Sequence, residues 1–392
     1  MSTQSPPLNV AMIGYAFMGA AHSQGWRVAP RFFDLPLNPV QHLICGRNPE
    51  NLAAAAANLG WAHTETDWRT AIARDDVDLV DICTPGNTHA EIAIAALEAG
   101  KHVLCEKPLA NSVAEAEQMA AAAEKAAANG VKAMVGFTYR RVPAIQLARQ
   151  LVAEGELGEI RQVRAQYLQD WLADPQAPLS WRLQKDVAGS GALGDIGAHI
   201  ADAVQFITGE HITGVAGLTE TFVKERPVET ERVGIAGVGG DELGPVTVDD
   251  AAIWLARLSG GAISTFEATR FAWGRKNALR IEINGTQGSV AFDLERLNEL
   301  QYFDAREGTR TNGFRTILVT EGEHPYIAAW WPPGHGLGYE HGFTHQVVDL
   351  VTALAEGTQP EPSFADGLRV QRVLDAVERS SAENSTWTEV PA

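Results

Sequence analysis

The segment Leu8-Asn9-Val10-Ala11-Met12-Ile13-Gly14-Tyr15-Ala16-Phe17-Met18-Gly19 decides the fold of the first part of the chain. It opens with an apolar run, as expected for a central parallel strand that is buried on both faces. The run leads directly into a G-x-A-x-x-G turn, and a helix-like segment follows from Ala20. A glycine-containing turn between a strand and a helix is typical of a dinucleotide-binding Rossmann domain.

This turn has the features that a pyrophosphate site needs. Gly14 permits the tight turn, Gly19 lets the helix approach the strand, and the helix N-terminus offers free amides and a positive dipole end. Ala16 replaces the second glycine of the motif, and its methyl group limits how closely the backbone can approach phosphate. We predict cofactor contacts at Gly14, Phe17 and Met18. The alternative is an ordinary βα turn that tolerates glycine.

Strand-like and helix-like segments then alternate as far as Phe137, which predicts βαβ units and a parallel, doubly wound sheet. The predicted strands are Val40–Cys45, Val77–Cys83, Val103–Cys105 and Lys132–Phe137, and the predicted helices are Asn51–Asn58, Ala90–Ala99 and Val113–Ala127.

Polar residues follow two of these strands, at the sheet edge where open α/β sheets bind ligands. Arg47 stands where NAD enzymes often carry an acid for the ribose 2′-hydroxyl, and it could stack on adenine or pair with a 2′-phosphate. NADP is therefore not excluded, and a solvated arginine is the alternative. A second loop can reach a ribose or the nicotinamide through Thr84, Pro85, Asn87 and His89. His89 could equally cap a helix.

The tripeptide Glu106-Lys107-Pro108 ends another strand. Pro108 lacks an amide hydrogen and favours an extended conformation of the residue before it, so Lys107 is predicted at the carboxyl edge of the sheet. We predict cofactor contacts for Glu106 and Lys107. A surface turn with a solvated ion pair is the alternative.

After Phe137 the pattern changes to that of an α+β domain with a large, mostly antiparallel sheet. Its predicted strands are Ile160–Leu168, Thr219–Val223, Ala251–Leu258, Ala262–Arg270, Ala278–Asn284 and Gly288–Asp293. Residues 229–244 are rich in glycine and acids and are predicted to form a flexible loop. The predicted helices are Val142–Glu154, Phe343–Ala355 and Ala365–Ser380. We expect a dinucleotide-binding domain at residues 1–140 and a substrate-binding and oligomerisation domain at residues 141–392.

Asp195 and His199 lie four residues apart in a segment that leads from a glycine loop into a helix, so they share one helix face. A carboxylate near a helix start is stabilised by the dipole, and a histidine beside a carboxylate can accept a proton near neutral pH. The alternative is an N-terminal acid with a core histidine. His341 and His345 are also four apart, but Gly342 stands where the zinc-protease motif has glutamate, so no metal site is predicted.

Composition narrows the classes of function. The formal net charge of −18 disfavours binding to nucleic acid or anionic lipid. The three cysteines, Cys45, Cys83 and Cys105, are predicted to be buried thiols because each lies in an apolar strand-like run. The polar N-terminus from Met1 to Pro7 lacks the apolar core of a signal peptide, and no apolar window is long enough to span a membrane. A cytoplasmic location is expected.

Taken together, these motifs resemble the glucose-fructose oxidoreductase / inositol dehydrogenase / rhizopine-catabolism (Gfo/Idh/MocA) family over nearly the whole chain. Five landmarks in the same order carry the resemblance: the Gly14–Gly19 turn, Thr84-Pro85 followed by His89, Glu106-Lys107-Pro108, Gly136-Phe137-Thr138-Tyr139-Arg140, and Gly194-Asp195-Ile196-Gly197-Ala198-His199. The run from Trp171 to Leu183 resembles the branch that contains levoglucosan dehydrogenase and related sugar 3-dehydrogenases.

The resemblance implies a nicotinamide at a cleft between the two domains, and a sheet domain whose open face packs in homodimers or homotetramers. It implies catalytic roles for Lys107, Asp195 and His199. Its candidates for lining the sugar or cofactor pocket are Tyr139, Arg140, Trp181 and Arg182, beside Asp195 and His199.

The resulting hypothesis is an NAD(P)-dependent dehydrogenase that moves a hydride between nicotinamide and a secondary hydroxyl of a sugar, anhydrosugar or polyol. His199 would be the general base and Lys107 would donate a hydrogen bond to the same oxygen, although Lys107 could itself be the base. Asp195 would orient the lysine or the histidine, or bind a neighbouring hydroxyl. Two alternatives stay open: an NAD-dependent glycosidase that oxidises its sugar transiently, and a non-catalytic dinucleotide-binding sensor.

Overall fold

A computed structural model describes residues 5–233 and 236–391. Residues 1–4 of the polar N-terminus, on which the signal-peptide prediction partly rests, lie outside this range. The chain forms two compact units. The first contains the described residues up to Thr138 together with Tyr339–Gln371, and the second contains Tyr139–Gly338 and the described residues from Arg372 onward. The predicted domain limits at residues 140 and 141 stay a prediction.

A six-stranded parallel sheet forms the centre of the first unit, in the order β3-β2-β1-β4-β5-β6. Its strands are β1 (Pro7–Ile13), β2 (Asn38–Cys45), β3 (His63–Glu65), β4 (Leu79–Ile82), β5 (His102–Cys105) and β6 (Ala133–Val135). The helices of this unit that precede residue 138 are α1 (Phe17–Phe32), α2 (Pro49–Leu59), α3 (Trp68–Ile72), α4 (His89–Glu98) and α5 (Val113–Ala127). The predicted Rossmann architecture is confirmed, since the strand order reverses at β1.

The short elements β3 and α3 are absent from the sequence prediction. The strand His63-Thr64-Glu65 is polar and mostly exposed at the sheet edge, so it carries no hydrophobic pattern. Its position comes from parallel pairing with Leu43, Ile44 and Cys45 of β2.

A late segment of the chain completes the core of the first unit. The helix α9 (His341–Glu356) packs on α1 and buries Val347, Leu350 and Val351 in the same cluster as Met12 and Trp26. This packing is close, because a Cβ atom on Gly25 would lie 2.8 Å from the carbonyl oxygen of Phe343. The sheet is therefore supported by residues more than 300 positions away in sequence from its first strand.

The second unit is organised around a nine-stranded sheet in the order β16-β15-β14-β13-β7-β12-β11-β8-β17. Its strands are β7 (Ile160–Leu168), β8 (Ile212–Glu220), β11 (Ala251–Leu258), β12 (Ile263–Thr269), β13 (Ala278–Gly285), β14 (Gly288–Asp293), β15 (Glu299–Asp304), β16 (Arg315–Leu318) and β17 (Thr388–Glu389). Of the pairs in this sheet, β7 with β12 is parallel and the others are antiparallel. The predicted mostly antiparallel sheet is confirmed.

Helices lie against this sheet and between its strands in sequence. They are α6 (Pro143–Ala153), α7 (Lys185–Ala188), a π-helical turn over Leu193–Gly197, and α8 (Ala198–Thr208). The last helix, α10 (Phe364–Ala382), begins in the first unit, and its residues from Arg372 belong to the second. In the central strands β7, β11 and β12, burial alternates along the chain, so one face is covered and the other is open.

The prediction of a flexible loop at residues 229–244 is wrong. The structure has an antiparallel two-stranded sheet there, formed by β9 (Glu225–Val233) and β10 (Ala236–Pro245). Residues 234 and 235, which fall in the predicted loop, lie outside the described range. Glycines and acids disfavour strands on average, but backbone pairing with the partner strand overrides that preference here. The strand predicted at Thr219–Val223 instead begins at Ile212 and ends at Glu220.

No helix within residues 5–233 and 236–391 combines the length and the apolar character that a membrane crossing requires.

Candidate active site

The N-terminus of α1 has the form of a dinucleotide-binding turn. Gly14 adopts a φ of 101°, and a Cβ atom there would lie 2.8 Å from the carbonyl oxygen of Cys83. No side chain caps the helix, and its first residue, Phe17, is 47% exposed. The free amides of this end therefore fit a pyrophosphate group of NAD.

Ala16 is compatible with the turn because its φ of −73° is ordinary for any residue. The second glycine of the motif is therefore not needed for backbone geometry at this position. Gly19 is needed, since a Cβ atom on it would lie 2.2 Å from the carbonyl oxygen of Gly14.

The loops after β2 and β4 place their predicted cofactor residues differently. Arg47 is exposed directly after β2, at the carboxyl edge of the sheet. Thr84, Pro85 and Asn87 lie in the loop after β4, where Asn87 is exposed and the Thr88 hydroxyl donates to Thr84 Oγ1 at 2.7 Å. Their contacts with a cofactor stay a prediction.

His89 links two loops within the first unit. Its ring is 1% exposed, its Nε2 lies 2.9 Å from the carbonyl oxygen of Thr84, and its Nδ1 lies 3.0 Å from that of Pro108. Burial lowers the pKa of His89, and the hydrogen bonds to these carbonyl oxygens oppose that shift. Since a carbonyl oxygen can only accept, a neutral ring donates to one of the two at a time. These contacts fix the loop that contains Thr84 to the turn that follows Lys107.

Glu106, which directly precedes Lys107, belongs to a buried network of polar side chains. The Nδ1 atom of His22 lies 2.9 and 3.0 Å from the two carboxylate oxygens of Asp81, and its Nε2 lies 2.9 Å from Glu106 Oε1. The indole of Trp26 donates to Asp81 Oδ2 at 2.7 Å. All four side chains are at most 4% exposed.

The surroundings of His22 favour the protonated form of its ring. Burial alone lowers the pKa of His22, but the charge of Asp81 and its hydrogen bond raise that pKa well above the ordinary value. A charged imidazole can donate to both carboxylates at once, which a neutral ring cannot. Glu106 is thus held by His22, and the half-buried Lys107 follows it at the end of β5.

In the second unit, Asp195 and His199 are the partly exposed residues of a segment that is otherwise buried. Every residue from Gly191 to Ile200 is buried except these two, which are half-buried. Asp195 lies on the π-helical turn and His199 in the first turn of α8, four residues later. Both side chains thus reach the surface of this segment, and a histidine near a carboxylate can serve as a proton acceptor.

A chain of hydrogen-bonded polar side chains begins beside His199. The rings of Tyr139 and Tyr167 have centroids 4.6 and 5.9 Å from that of His199, and their hydroxyl oxygens are 2.7 Å apart. Tyr167 donates to Asn277 Oδ1 at 2.7 Å, and Gln169 Nε2 donates to the same oxygen at 2.7 Å. The indole of Trp171 donates to Gln169 Oε1 at 2.9 Å.

The other predicted pocket residues have defined contacts within the second unit. Arg140 is 7% exposed, donates through Nε to Asp202 Oδ2 at 2.8 Å and lies over the ring of Phe206. These contacts favour a structural role for Arg140. Arg182 lies over the ring of Trp181, 4.5 Å from its centroid, and both are half-buried. The contacts of Tyr139, Arg140, Trp181 and Arg182 with a sugar stay a prediction.

A cluster of possible metal ligands within the described residues consists of His22, Asp81 and Cys83. Its members already interact with one another, because Asp81 accepts hydrogen bonds from His22 and from the thiol of Cys83 at 3.6 Å. His341 and His345 belong to no such cluster in the searched part of the chain.

Comparisons with known proteins identify the family. The family model "Oxidoreductase family, NAD-binding Rossmann fold" matches residues 8–137, and the GFO/IDH/MocA C-terminal domain matches residues 145–291. The chain belongs to the GFO/IDH/MocA oxidoreductase family. The predicted family, fold class and use of a nicotinamide dinucleotide are confirmed.

Individual members of the GFO/IDH/MocA family align over the whole chain. Levoglucosan dehydrogenase of Pseudarthrobacter phenanthrenivorans is 44% identical over 98% of both chains. The crystal structure of an oxidoreductase domain protein from Kribbella flavida is 69% identical, with a TM-score of 0.94 over 99% of this chain and 100% of that one. A structure of levoglucosan dehydrogenase with NADH and levoglucosan is 43% identical, with a TM-score of 0.92 over 98% of this chain and 100% of that one.

Sequence reasoning missed His22 and Asp81. A signal was present for His22, which stands three residues after Gly19 in α1 and therefore near the turn. Asp81 is an acid inside a strand that is buried at all four positions, and buried acids need a partner. The contact of His22 with both Asp81 and Glu106 could not be predicted from sequence, because it depends on the pairing of β4 with β5.

Proposed function

We propose that the protein oxidises a secondary hydroxyl of an anhydrosugar of the levoglucosan class, with NAD as the preferred hydride acceptor. The observation that carries this proposal is the joint exposure of Asp195 and His199 in an otherwise buried helical segment. The 44% identical levoglucosan dehydrogenase supports the substrate class, and the solved complexes of levoglucosan dehydrogenase with NADH support the cofactor.

In the proposed reaction, His199 accepts the proton of the hydroxyl that is oxidised, and Lys107 donates a hydrogen bond to the same oxygen. Asp195 orients His199 or accepts a hydrogen bond from a neighbouring sugar hydroxyl. The rings of Tyr139 and Tyr167 restrict the orientation of the imidazole. NAD, when bound, supplies the acceptor for the hydride, and the residues that would hold it are Gly14, Phe17, Met18 and the loop at Thr84.

The substitutions Lys107→Ala and His199→Ala test these roles. We expect each variant to lower kcat by about 10²-fold or more at saturating levoglucosan, because each removes a proton-transfer or orienting group. The measurement is the absorbance of reduced cofactor with levoglucosan, other anhydrosugars, sugars and polyols, with NAD and NADP compared. A variant that keeps near-normal turnover shows that its residue does not have the proposed role.

The same assay, with glycosides added as substrates, separates a dehydrogenase from an NAD-dependent glycosidase and from a non-catalytic sensor. Net formation of NADH in proportion to the sugar consumed supports a dehydrogenase. Cleavage of a glycoside without net NADH indicates the transient-oxidation glycosidase. Binding of NAD with turnover of none of the tested compounds supports a sensor.

We also propose that the open face of the nine-stranded sheet joins copies of this chain into a homo-oligomer. Leu218, Ile253 and Leu255 are 55–58% exposed on neighbouring strands, and Leu218 is opposite Ile253 in the pairing of β8 with β11. Apolar side chains at this exposure are typical of a surface that is covered in an assembly. Polar residues on the central strand β7 and on β13, such as Arg164 and Glu282, continue the same face.

A cytoplasmic location is proposed from the state of the cysteines. Cys45, Cys83 and Cys105 are free and buried, as predicted. Burial raises the pKa of Cys45 to about 12, so its thiol stays protonated. Unreactive reduced thiols are typical of a reducing compartment.

A further inference from the structure

Arg270 is a buried cation with no place in the mechanism described above. It directly follows β12, and its side chain is 0% exposed. An arginine side chain stays charged in proteins, so a buried guanidinium needs an anion close by.

The guanidinium makes one hydrogen bond and lies near two carboxyl groups, those of Asp195 and the buried Asp249. Its Nη2 donates to the backbone carbonyl oxygen of Asp249 at 3.0 Å, and its Nη1 lies 3.8 Å from Asp195 Oδ2. Its Nε and Nη1 have no hydrogen-bond partner among the described residues. These two nitrogens can therefore interact with nearby groups only through their positive charge. The half-buried carboxylate of Asp195 lies close enough for such an interaction.

The neighbouring acid Asp249 is engaged with the backbone that carries Asp195. Its Oδ1 accepts from the amide of Gly191 at 2.6 Å, and its Oδ2 accepts from that of Leu193 at 2.8 Å. These bonds fix the residues that lead into the π-helical turn. A Cβ atom on Gly191 would lie 1.7 Å from the carbonyl oxygen of Asp249 and 2.8 Å from Arg270 Nη2, so the packing here requires glycine.

We propose that Arg270 is a positioning residue for the reaction, which holds the carboxylate of Asp195 in its orientation from the protein side. In the proposed reaction, the same carboxylate acts on the sugar or on His199. This inference rests on the proposed function insofar as Asp195 takes part in catalysis. The pairing of Arg270 with Asp195 can be tested separately from turnover.

A double-mutant cycle of Arg270→Gln and Asp195→Asn tests the proposal. We expect R270Q to lower kcat about 10- to 100-fold with a smaller change in KM, because the carboxylate loses its orientation. In the D195N background, R270Q should lower kcat by less than about threefold, since residues that act as a unit have non-additive effects. Arg270→Lys, which keeps the positive charge, should recover part of the activity that R270Q loses.

The matched control is Arg226→Gln. Arg226 is also 0% exposed in the second unit, but its guanidinium donates to the backbone carbonyl oxygens of Leu172, Asp174 and Ala177. We expect R226Q to lower the melting temperature, and its effect on kcat should multiply with that of D195N. The same cycles measured on the melting temperature report the pairing without any substrate.

The outcomes are distinct. Coupling between R270Q and D195N in both kcat and melting temperature, and none between R226Q and D195N, supports the proposal. Wild-type kcat in R270Q, or effects of R270Q and D195N that simply multiply, overturns it. If the wild-type protein reduces NAD with none of the tested sugars, the proposed function fails, while the melting-temperature cycle still decides whether Arg270 holds Asp195.

Discussion

At the scale of single residues, His22 shows how a side chain with no predicted role can control the charge next to a predicted catalytic lysine. Its two nitrogens each face a carboxylate, and its raised pKa keeps it protonated. His22 therefore bridges the buried carboxyl groups of Asp81 and Glu106. Glu106 is therefore held in place from inside the first unit, and Lys107 follows it directly.

We expect His22→Gln to lower the free energy of unfolding by about 3–5 kcal/mol at a pH near 6, because it leaves two buried carboxylates without a cation. The folded-state pKa of His22 is raised, so its stabilising effect is complete below the unfolded-state pKa of about 6.5 and is lost as the pH rises through the folded-state value. Urea denaturation of both proteins across this range measures the effect.

The stability difference between wild type and H22Q should shrink as the pH rises. A difference that stays constant with pH would show that His22 is not protonated in the folded protein. The exposed His63, which also lies in the first unit, supplies the control substitution His63→Gln. That variant should change stability by less than about 0.5 kcal/mol.

At the scale of secondary structure, the turn between β1 and α1 depends on close backbone contact. Gly14 supplies a positive φ, and Gly19 supplies the absence of a side chain against Gly14. Ala16 lies between them with ordinary backbone angles. The departure from the glycine motif at Ala16 therefore leaves the turn geometry unchanged.

We expect Gly19→Ala to weaken NAD binding about tenfold or more, which corresponds to about 1.4 kcal/mol, because the new methyl group displaces the Gly14 carbonyl and the helix end. It should also destabilise the fold by about 1–3 kcal/mol. Fluorescence titration with NADH measures the affinity. Gly322→Ala is the control, since no atom lies within 4 Å of a Cβ built there. Wild-type affinity in G19A would contradict this account of the turn.

Elements with a strong local pattern could be predicted from sequence, and those fixed by partners could not. Val113–Ala127, Ile160–Leu168, Ala251–Leu258 and Gly288–Asp293 have the predicted bounds. The strands β9 and β10 were missed because a composition rich in glycine and acids is typical of loops. What forms these strands is their pairing with each other, which the sequence pattern does not show.

The candidate site follows the same rule. Asp195 and His199 could be predicted because their spacing matches one helix face. Arg270 could not, since its charge reaches Asp195 only after β12 and the π-helical turn have come together. The resemblance makes Arg140 a candidate for the sugar or cofactor pocket, but its pairing with Asp202, 62 residues later in the chain, could not be predicted from sequence.

At the scale of the whole molecule, the open face of the nine-stranded sheet is the surface that bears on assembly. We expect Ile253→Glu to convert the proposed homo-oligomer to monomers, because a new carboxylate between Leu218 and Glu267 is costly to desolvate in a contact. Light scattering after gel filtration measures the molar mass. Leu243→Glu is the control, because Leu243 is 58% exposed on the separate β9–β10 sheet. An unchanged oligomer in I253E would show that this face is not the interface.

The chain of hydrogen bonds near His199 determines whether the hydroxyl of Tyr139 donates or accepts. An indole N–H can only donate, so Gln169 turns its oxygen to Trp171 and its NH₂ group to Asn277. Asn277 must then present its oxygen, Tyr167 must give its proton to that oxygen, and Tyr139 must give its own to Tyr167. Towards any further group, the hydroxyl of Tyr139 can therefore act only as an acceptor. A sugar that meets this phenol must bring a free OH, and the O-methyl ether of that position would find no partner there.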